Sequence, residues 1–291
     1  MSHRRLDPVA DAVRAMGTTS TGTAPIPVAY RVAAAILGPL PPGCGQHPLV
    51  ARLLRRSPVP RGTFATKRMR SGARMVLDLG TPQEATAWLL GNYEPGTVAF
   101  LSARLPRGGV FLDVGANVGL ISLALAATHR DADVYCFEAD PATASRLEQN
   151  ARAQANHRVL VVHAAVSDTS GQLPISGEST MLTRIVSDGG TMVPALRLDD
   201  YVAEQGLTRI DLVKIDVEGH ELQVLRGSER LIERFRPTFV LEAAGRGDDN
   251  AVARFLLERG YRLRPIPPVG LQRLRPAADL DRNLAFLPAE R

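Results

Sequence analysis

The run Phe111-Leu112-Asp113-Val114-Gly115-Ala116-Asn117-Val118-Gly119-Leu120 joins an apolar strand pattern to an apolar helix pattern. Glycines at such a junction let the backbone turn tightly and come close to a ligand. A dinucleotide fingerprint needs Gly-x-Gly-x-x-Gly, but positions 115, 117 and 120 are Gly, Asn and Leu. What stands there is Asp-x-Gly-x-Asn-x-Gly. A carboxylate at the entrance of the loop is a poor neighbour for pyrophosphate and a good one for a cation. The spacing therefore points to a ligand with a cationic end, such as a methionine-derived sulfonium that carries an ammonium group. Asp113 would hold the ammonium directly or through water, and Gly115, Asn117 and Gly119 would shape the loop around it. The plainer alternative is an ordinary strand–turn–helix with Asp113 as a solvated or capping residue.

Further acids recur at strand ends. Glu138 lies 23 positions after Gly115, near the ~20 expected of an acid that accepts hydrogen bonds from ribose hydroxyls. Asp140-Pro141 reads as the N-cap and first-turn proline of the next helix. In Ala164-Ala165-Val166-Ser167-Asp168, the small apolar residues suit the flanks of an adenine. Asp168 would accept from its exocyclic amine, although Asp168-Thr169-Ser170-Gly171 is also a strong turn sequence.

These residues need elements to position them. Val110–Val114, Asp133–Glu138, Val159–Val166, Ile210–Asp216 and Pro237–Glu242 read as strands. Between them lie helix patterns at Val118–Ala127, Pro141–Ala155, Leu198–Glu204, Glu221–Phe235 and Asn250–Arg259. Tyr261–Pro265 and Asn283–Leu287 close the chain as two strands, and Gly171–Leu196 reads as an irregular or hairpin insertion. Short apolar runs alternating with amphipathic helices predict a doubly wound α/β sheet covered on both faces. Ligands of such sheets bind at the carboxyl ends of the strands, at the topological switch point.

Charge divides the chain. Residues 1–74 hold twelve Lys/Arg and two acids, whereas residues 75–291 hold 23 Lys/Arg and 28 acids. The pI of about 9.7 thus belongs to a basic, Pro-rich N-terminal extension (1–74) joined to a mildly acidic body (75–291). Within the extension, Tyr30–Leu37 and Pro48–Arg56 are helix candidates, and residues 17–28 read as a mobile linker. The extension suits a lid or a homodimer element. No apolar run reaches the ~20 residues of a membrane span. Two cysteines, Cys44 and Cys136, make neither a metal cage nor a disulfide framework, and a reducing cytoplasm is the expected compartment.

The set Gly91-Asn92-Tyr93-Glu94-Pro95, Phe111–Leu120, Phe137-Glu138-Ala139-Asp140-Pro141, Ala165-Val166-Ser167-Asp168 and Leu198-Asp199-Asp200-Tyr201 resembles the FkbM-type family of S-adenosylmethionine-dependent methyltransferases. The run Ile210-Asp211-Leu212-Val213-Lys214-Ile215-Asp216-Val217-Glu218-Gly219-His220-Glu221 resembles it more closely still, and Asn283–Leu287 fits its last strand. The likeness covers roughly residues 75–290. It implies a class I, Rossmann-like sheet of seven strands, mainly parallel with one antiparallel strand. It also implies S-adenosylmethionine as methyl donor and a hydroxyl acceptor on a sugar, polyketide, lipid or related natural-product scaffold.

Methyl transfer from a sulfonium asks the protein to place the acceptor and remove its proton. His220, with an intrinsic pKa near ~6.5, is a candidate base. Glu218 is a candidate base, metal ligand or helix-start acid. Asp216 is a candidate for the donor's ammonium, the acceptor or a metal. Asp216 and Glu242 end neighbouring strands and are a candidate pair for one Mg²⁺. Tyr93 and Glu94 would close over the methionine end of the donor. Two rival readings are an RNA or other nucleic-acid methyltransferase that uses the basic arm, and a non-catalytic domain that binds S-adenosylmethionine. The arm has only Tyr30 and Phe64 as aromatics, which is poor for stacking on RNA bases.

Overall fold

The computed structural model describes residues 25–42, 46–154, 158–176, 185–186, 189–242, 251–266 and 283–289. Helices α1 (Val28–Leu37) and α2 (Gln46–Arg56) precede a hairpin of β1 (Phe64–Arg68) and β2 (Arg74–Asp78), then α3 (Pro82–Leu90) and α4 (Pro95–Ser102). Tyr30, Ala34 and Leu37 recur at helical spacing, and all three are buried with Val50, Met75, Leu77, Trp88 and Leu89 in one apolar cluster. That cluster also takes in Val118, Leu120 and Leu123 of the body. The expected boundary at residue 74 therefore runs through the hairpin, whose register is Phe64↔Asp78 to Arg68↔Arg74. Residues 17–24 of the expected linker lie outside the described residues.

The remaining elements run β3 (Val110–Val114), α5 (Ser122–Thr128), β4 (Asp133–Glu138), α6 (Pro141–Arg152), β5 (Val159–His163), β6 (Ala165–Val166), β7 (Gly171–Ile175), β8 (Thr191–Leu196), α7 (Leu198–Glu204), β9 (Leu212–Ile215), α8 (Glu221–Arg226), α9 (Glu229–Phe235), β10 (Thr238–Glu242), α10 (Ala251–Glu258), β11 (Tyr261–Pro265) and β12 (Asn283–Pro288). A seven-stranded sheet has the order β11-β12-β10-β9-β3-β4-β5. Strands β10, β9, β3, β4 and β5 are mutually parallel, and β12 lies antiparallel between β10 and β11. All five residues of β3 are buried, as a central strand covered on both faces requires. Chain progression reverses between β3 and β9, which is the switch point of the sheet.

Three expected elements come out differently. The helix expected from Val118 begins only at Ser122, because Asn117 and Gly119 have positive φ (51° and 88°) and unwind its first turn. The third strand breaks at Ala164: β5 stays in the main sheet, while β6 pairs with β8 in a small sheet ordered β6-β8-β7. The insertion is thus a hairpin, β7 against β8, that extends this sheet. The helix expected over Glu221–Phe235 splits after Arg226. Asp199, buried on α7, accepts from the backbone N–H groups of Arg230 (3.1 Å) and Leu231 (2.8 Å) and so starts α9 afresh. Among the described residues, no helix is long and apolar enough to cross a membrane.

Candidate active site

A cleft of about 290 Å³ opens at the carboxyl ends of β3, β4 and β9. Gly115 (φ 77°) leads the chain out of β3 directly beneath the start of the β9 loop. A Cβ at 115 would collide with the carbonyl oxygen of Asp216, so only glycine fits both the conformation and the contact. Of the four non-glycine residues with positive φ among the described residues, Glu94, Asn117 and Glu218 line this cleft; the fourth, Arg236, does not. Strained backbone that collects around one cavity is the pattern of a working site.

One end of the cleft is anionic. Asp113 is 1% exposed and Lys214 3% exposed. The Lys214 ammonium bonds Asp216 at 3.0 Å and lies 3.6 Å from Asp113. Burial works against the lysine's charge, but Asp216, Asp113 and Glu94 outweigh it and hold the ammonium above the ordinary lysine range. Burial raises the Asp113 carboxyl, while Lys214 and the Ser122 hydroxyl that donates to its Oδ2 pull it back. Asp113 Oδ1 is left without a hydrogen bond at the wall of the cleft. Asn283 of β12 donates to Glu94 (2.6 Å) and so ties the antiparallel strand to the mouth of the site. Three carboxylates thus face one ammonium, and the end is net negative.

The middle of the cleft holds Glu138, 8% exposed. It accepts from the backbone N–H groups of Asn117 and Asp140, both at 2.9 Å. Burial pushes its carboxyl up to about 7, and those two N–H groups hold it from going higher. Beyond it the walls turn apolar, with Phe137, Ala139, Ala164, Ala165, Val166, Ile175 and Ile185. The last two come from the insertion, so the small sheet walls the cleft. Asp140 caps α6 by accepting from Thr143 N at 2.8 Å.

Glu218 and His220 follow β9 and line the same cleft. Burial lowers the His220 pKa below the ordinary histidine value, and Asp168 and Glu221 oppose that shift. Glu221 is itself buried and accepts from Gly219 N (2.9 Å), so it stabilises the loop that carries His220.

The site joins Glu94, Asp113, Gly115, Asn117, Glu138, Asp216, Glu218 and His220. Three expected roles change. Gly119 does not line the cleft; its missing side chain makes room for Leu147, whose Cδ1 would stand 2.6 Å from a Cβ there. Asp168 does not line the cleft either, and receives the Ser167 hydroxyl at 3.2 Å. The Mg²⁺ pair meets a chemical obstacle, because the Lys214 ammonium already sits on Asp216. Glu242 ends β10 opposite Asn283, but its side chain lies outside the described residues. Among the described residues, no three His, Cys, Asp or Glu side chains cluster to hold a metal. Sequence reasoning missed Lys214, Ser122 and Ser167. Lys214 did carry a signal: it is a lysine inside an apolar strand, in a chain with only one other, Lys67.

Residues 113–263, just over half of the chain, match the family described as the methyltransferase FkbM domain. The chain belongs to the FkbM methyltransferase family. It is 32% identical to the methyltransferase sdnD of Sordaria araneosa, over 43% of this chain and 62% of that protein. It is 28% identical to the hexuronic acid methyltransferase AglP of Haloferax volcanii, over 57% of this chain and 68% of the relative. It is 30% identical to the 2-O-methyltransferase NoeI of Sinorhizobium fredii, over 44% and 60%. The chain thus spans about three fifths to two thirds of the length of these relatives. The FkbM match begins at Asp113 and contains the glycine loop, Glu138, the β9 loop and the insertion. Glu94 and Asn283 lie outside the matched range and complete the anionic end from either side.

Proposed function

We propose that this FkbM-family chain transfers a methyl group from S-adenosylmethionine to a hydroxyl of a sugar or related natural-product scaffold. The observation that carries the reading is the order of chemistry along one cleft: a net-negative end, a carboxylate in the middle and an apolar end. The ligand has matching parts in the same order. Its ammonium and sulfonium suit Glu94, Asp113 and Asp216, with Asp113 Oδ1 as an acceptor lacking a hydrogen bond. Its ribose hydroxyls suit Glu138. Its adenine suits the wall of Phe137, Ala164, Ala165, Val166, Ile175 and Ile185. When bound, the donor supplies an already activated methyl group.

The protein's part is then positional and acid–base. His220 is kept neutral by burial and serves as the base that takes the acceptor's proton. Glu218, in a strained conformation on the same loop, orients the acceptor. The relatives named for hexuronic acid and for a 2-O position support a sugar hydroxyl as acceptor.

Titration calorimetry with S-adenosylmethionine tests the reading at its base. Folded protein should bind it stoichiometrically, and absence of binding would overturn the proposal. Incubation with donor and a panel of glycosides and uronic acids, followed by mass spectrometry, should show one added methyl unit on a hydroxyl. Methylation of an amine or a carbon instead would overturn the choice of acceptor atom.

A further inference from the structure

Ser167 follows β6 and is 1% exposed. Its Oγ lies 2.9 Å from His220 Nε2 and 3.2 Å from Asp168 Oδ1. A hydroxyl carries one proton, and an ionised carboxylate only accepts. The contact with Asp168 is a hydrogen bond only when the Ser167 proton points at Asp168. The contact with His220 is then a hydrogen bond only when Nε2 carries a proton and donates it to Oγ. One proton arrangement satisfies both contacts. A neutral imidazole protonated at Nε2 has a bare Nδ1.

We propose that Ser167 and Asp168 are positioning residues that hold His220 in the Nε2–H tautomer and leave Nδ1 as the nitrogen that accepts the substrate proton. This deepens the reading of His220 as base and rests on it. The hydroxyl proton of the acceptor passes to Nδ1. The acceptor oxygen uses the freed electron pair for the new bond to carbon, and the pair of the broken carbon–sulfur bond stays on the departing sulfur. The imidazolium so formed keeps its Nε2–H on Ser167, with the Asp168 carboxylate behind it to offset the charge.

The fold holds both partners in place. Ser167 N donates to Leu196 O of β8 at 2.9 Å. Gly227, at the break between α8 and α9, packs so closely on the Ser167 carbonyl that no Cβ fits between them. His220 stands at the start of α8, its carbonyl accepting from Val224 N at 3.1 Å. The ionisable groups around the ring are Asp168 from the β6 turn, Glu221 on α8, and Asp216 and Glu218 from the β9 loop. Burial keeps the ring neutral near pH 7, the state in which a tautomer has meaning. This account also gives Asp168, which does not line the cleft, a part in the site.

Nitrogen NMR of the full chain labelled with ¹⁵N-histidine reads the tautomer directly, with His220→Gln assigning the signal. In the unmodified protein above the ring's titration, the His220 proton should reside on Nε2. In Asp168→Ala the Ser167 proton is released to Nε2, and the ring should shift to the Nδ1–H form. In Ser167→Ala the preference should be lost, and in Asp168→Ala the His220 pKa should fall, because the imidazolium loses that counter-charge. A proton on Nδ1 in the unmodified protein, or an unchanged tautomer in Asp168→Ala, would overturn the proposal. The spectrum of the unmodified protein decides without any variant. It also needs neither donor nor acceptor, so its failure is distinct from a failure to bind S-adenosylmethionine.

Discussion

Lys214 is the residue on which the anionic end turns. It is the only cation within 4 Å of Asp113 among the described residues, and both are buried. Removing it leaves a buried carboxylate whose remaining side-chain hydrogen bond comes from the Ser122 hydroxyl. Lys214→Met should therefore cost roughly 3–5 kcal/mol of stability, the usual penalty for stranding a buried charge. The shift of the urea midpoint measures this, and Lys214→Met combined with Asp113→Asn should recover part of the loss. Glu138 makes a pH prediction. Its carboxyl is pushed up to about 7 by burial, and in the proposed role it accepts ribose hydroxyls best when ionised. Affinity for S-adenosylmethionine should rise as pH increases through about 7 and fall below it. Glu138→Gln should flatten that dependence in calorimetry across pH 5.5–8.5. Glu138 and Asp113 were legible in the sequence because strand ends and spacing mark them. The pairing of Lys214 with Asp113 was not, because the two lie on different strands brought side by side only by the β3–β9 pairing.

At the scale of elements, the site depends on two loops that cross. The β3 loop passes under the β9 loop where Gly115 meets the Asp216 carbonyl. Gly115→Ala has to resolve that collision and adopt a positive φ as well. It should destabilise by at least ~1 kcal/mol, and it should weaken donor binding because Asp216 moves with the loop. Thermal melts and calorimetry on the same sample separate the two effects. The strands of the main sheet were legible as short apolar runs. The breaks at Ala164 and Gly227 were not. Each interrupts a segment whose local pattern runs on unbroken, and each has a tertiary cause: β6 pairs with β8, and Asp199 supplies a new helix start.

Across the whole molecule, the N-terminal elements are tied to the body through side chains of α6, of Gln154 just beyond it, and of α3. Among the described residues, β2 pairs with no strand but β1. Its N–H groups at Arg74, Val76 and Asp78 go instead to Gln154 (3.1 Å), Asn150 (2.8 Å) and Glu84 (2.7 Å). Arg146 grips Glu84 through both of its terminal nitrogens. Polar side chains thus close an edge that would otherwise invite another strand. Asn150→Ala leaves the buried Val76 N–H and Val118 carbonyl unsatisfied and should cost about 1–3 kcal/mol. Denaturation followed by Trp88 fluorescence, which reports the N-terminal cluster, and by circular dichroism of the body should show one shared transition that moves to lower denaturant. Separate transitions would mean that the two parts unfold independently.

The sequence alone determined the alternation of strands and helices, the carboxyl edge as the place to look, and which acids stand at that edge. These are local properties: periodicity, glycine at a turn, and a charge that ends an apolar run. The tertiary structure decided which of those acids share a cleft, that a buried lysine partly neutralises them, and that Asp168 stands beside Ser167 and the charge of His220. Those outcomes follow from strand order and loop crossing, which place residues far apart in the chain within a few ångströms. No window of the sequence contains that information, because the energies that choose it are those of burial and pairing between distant segments.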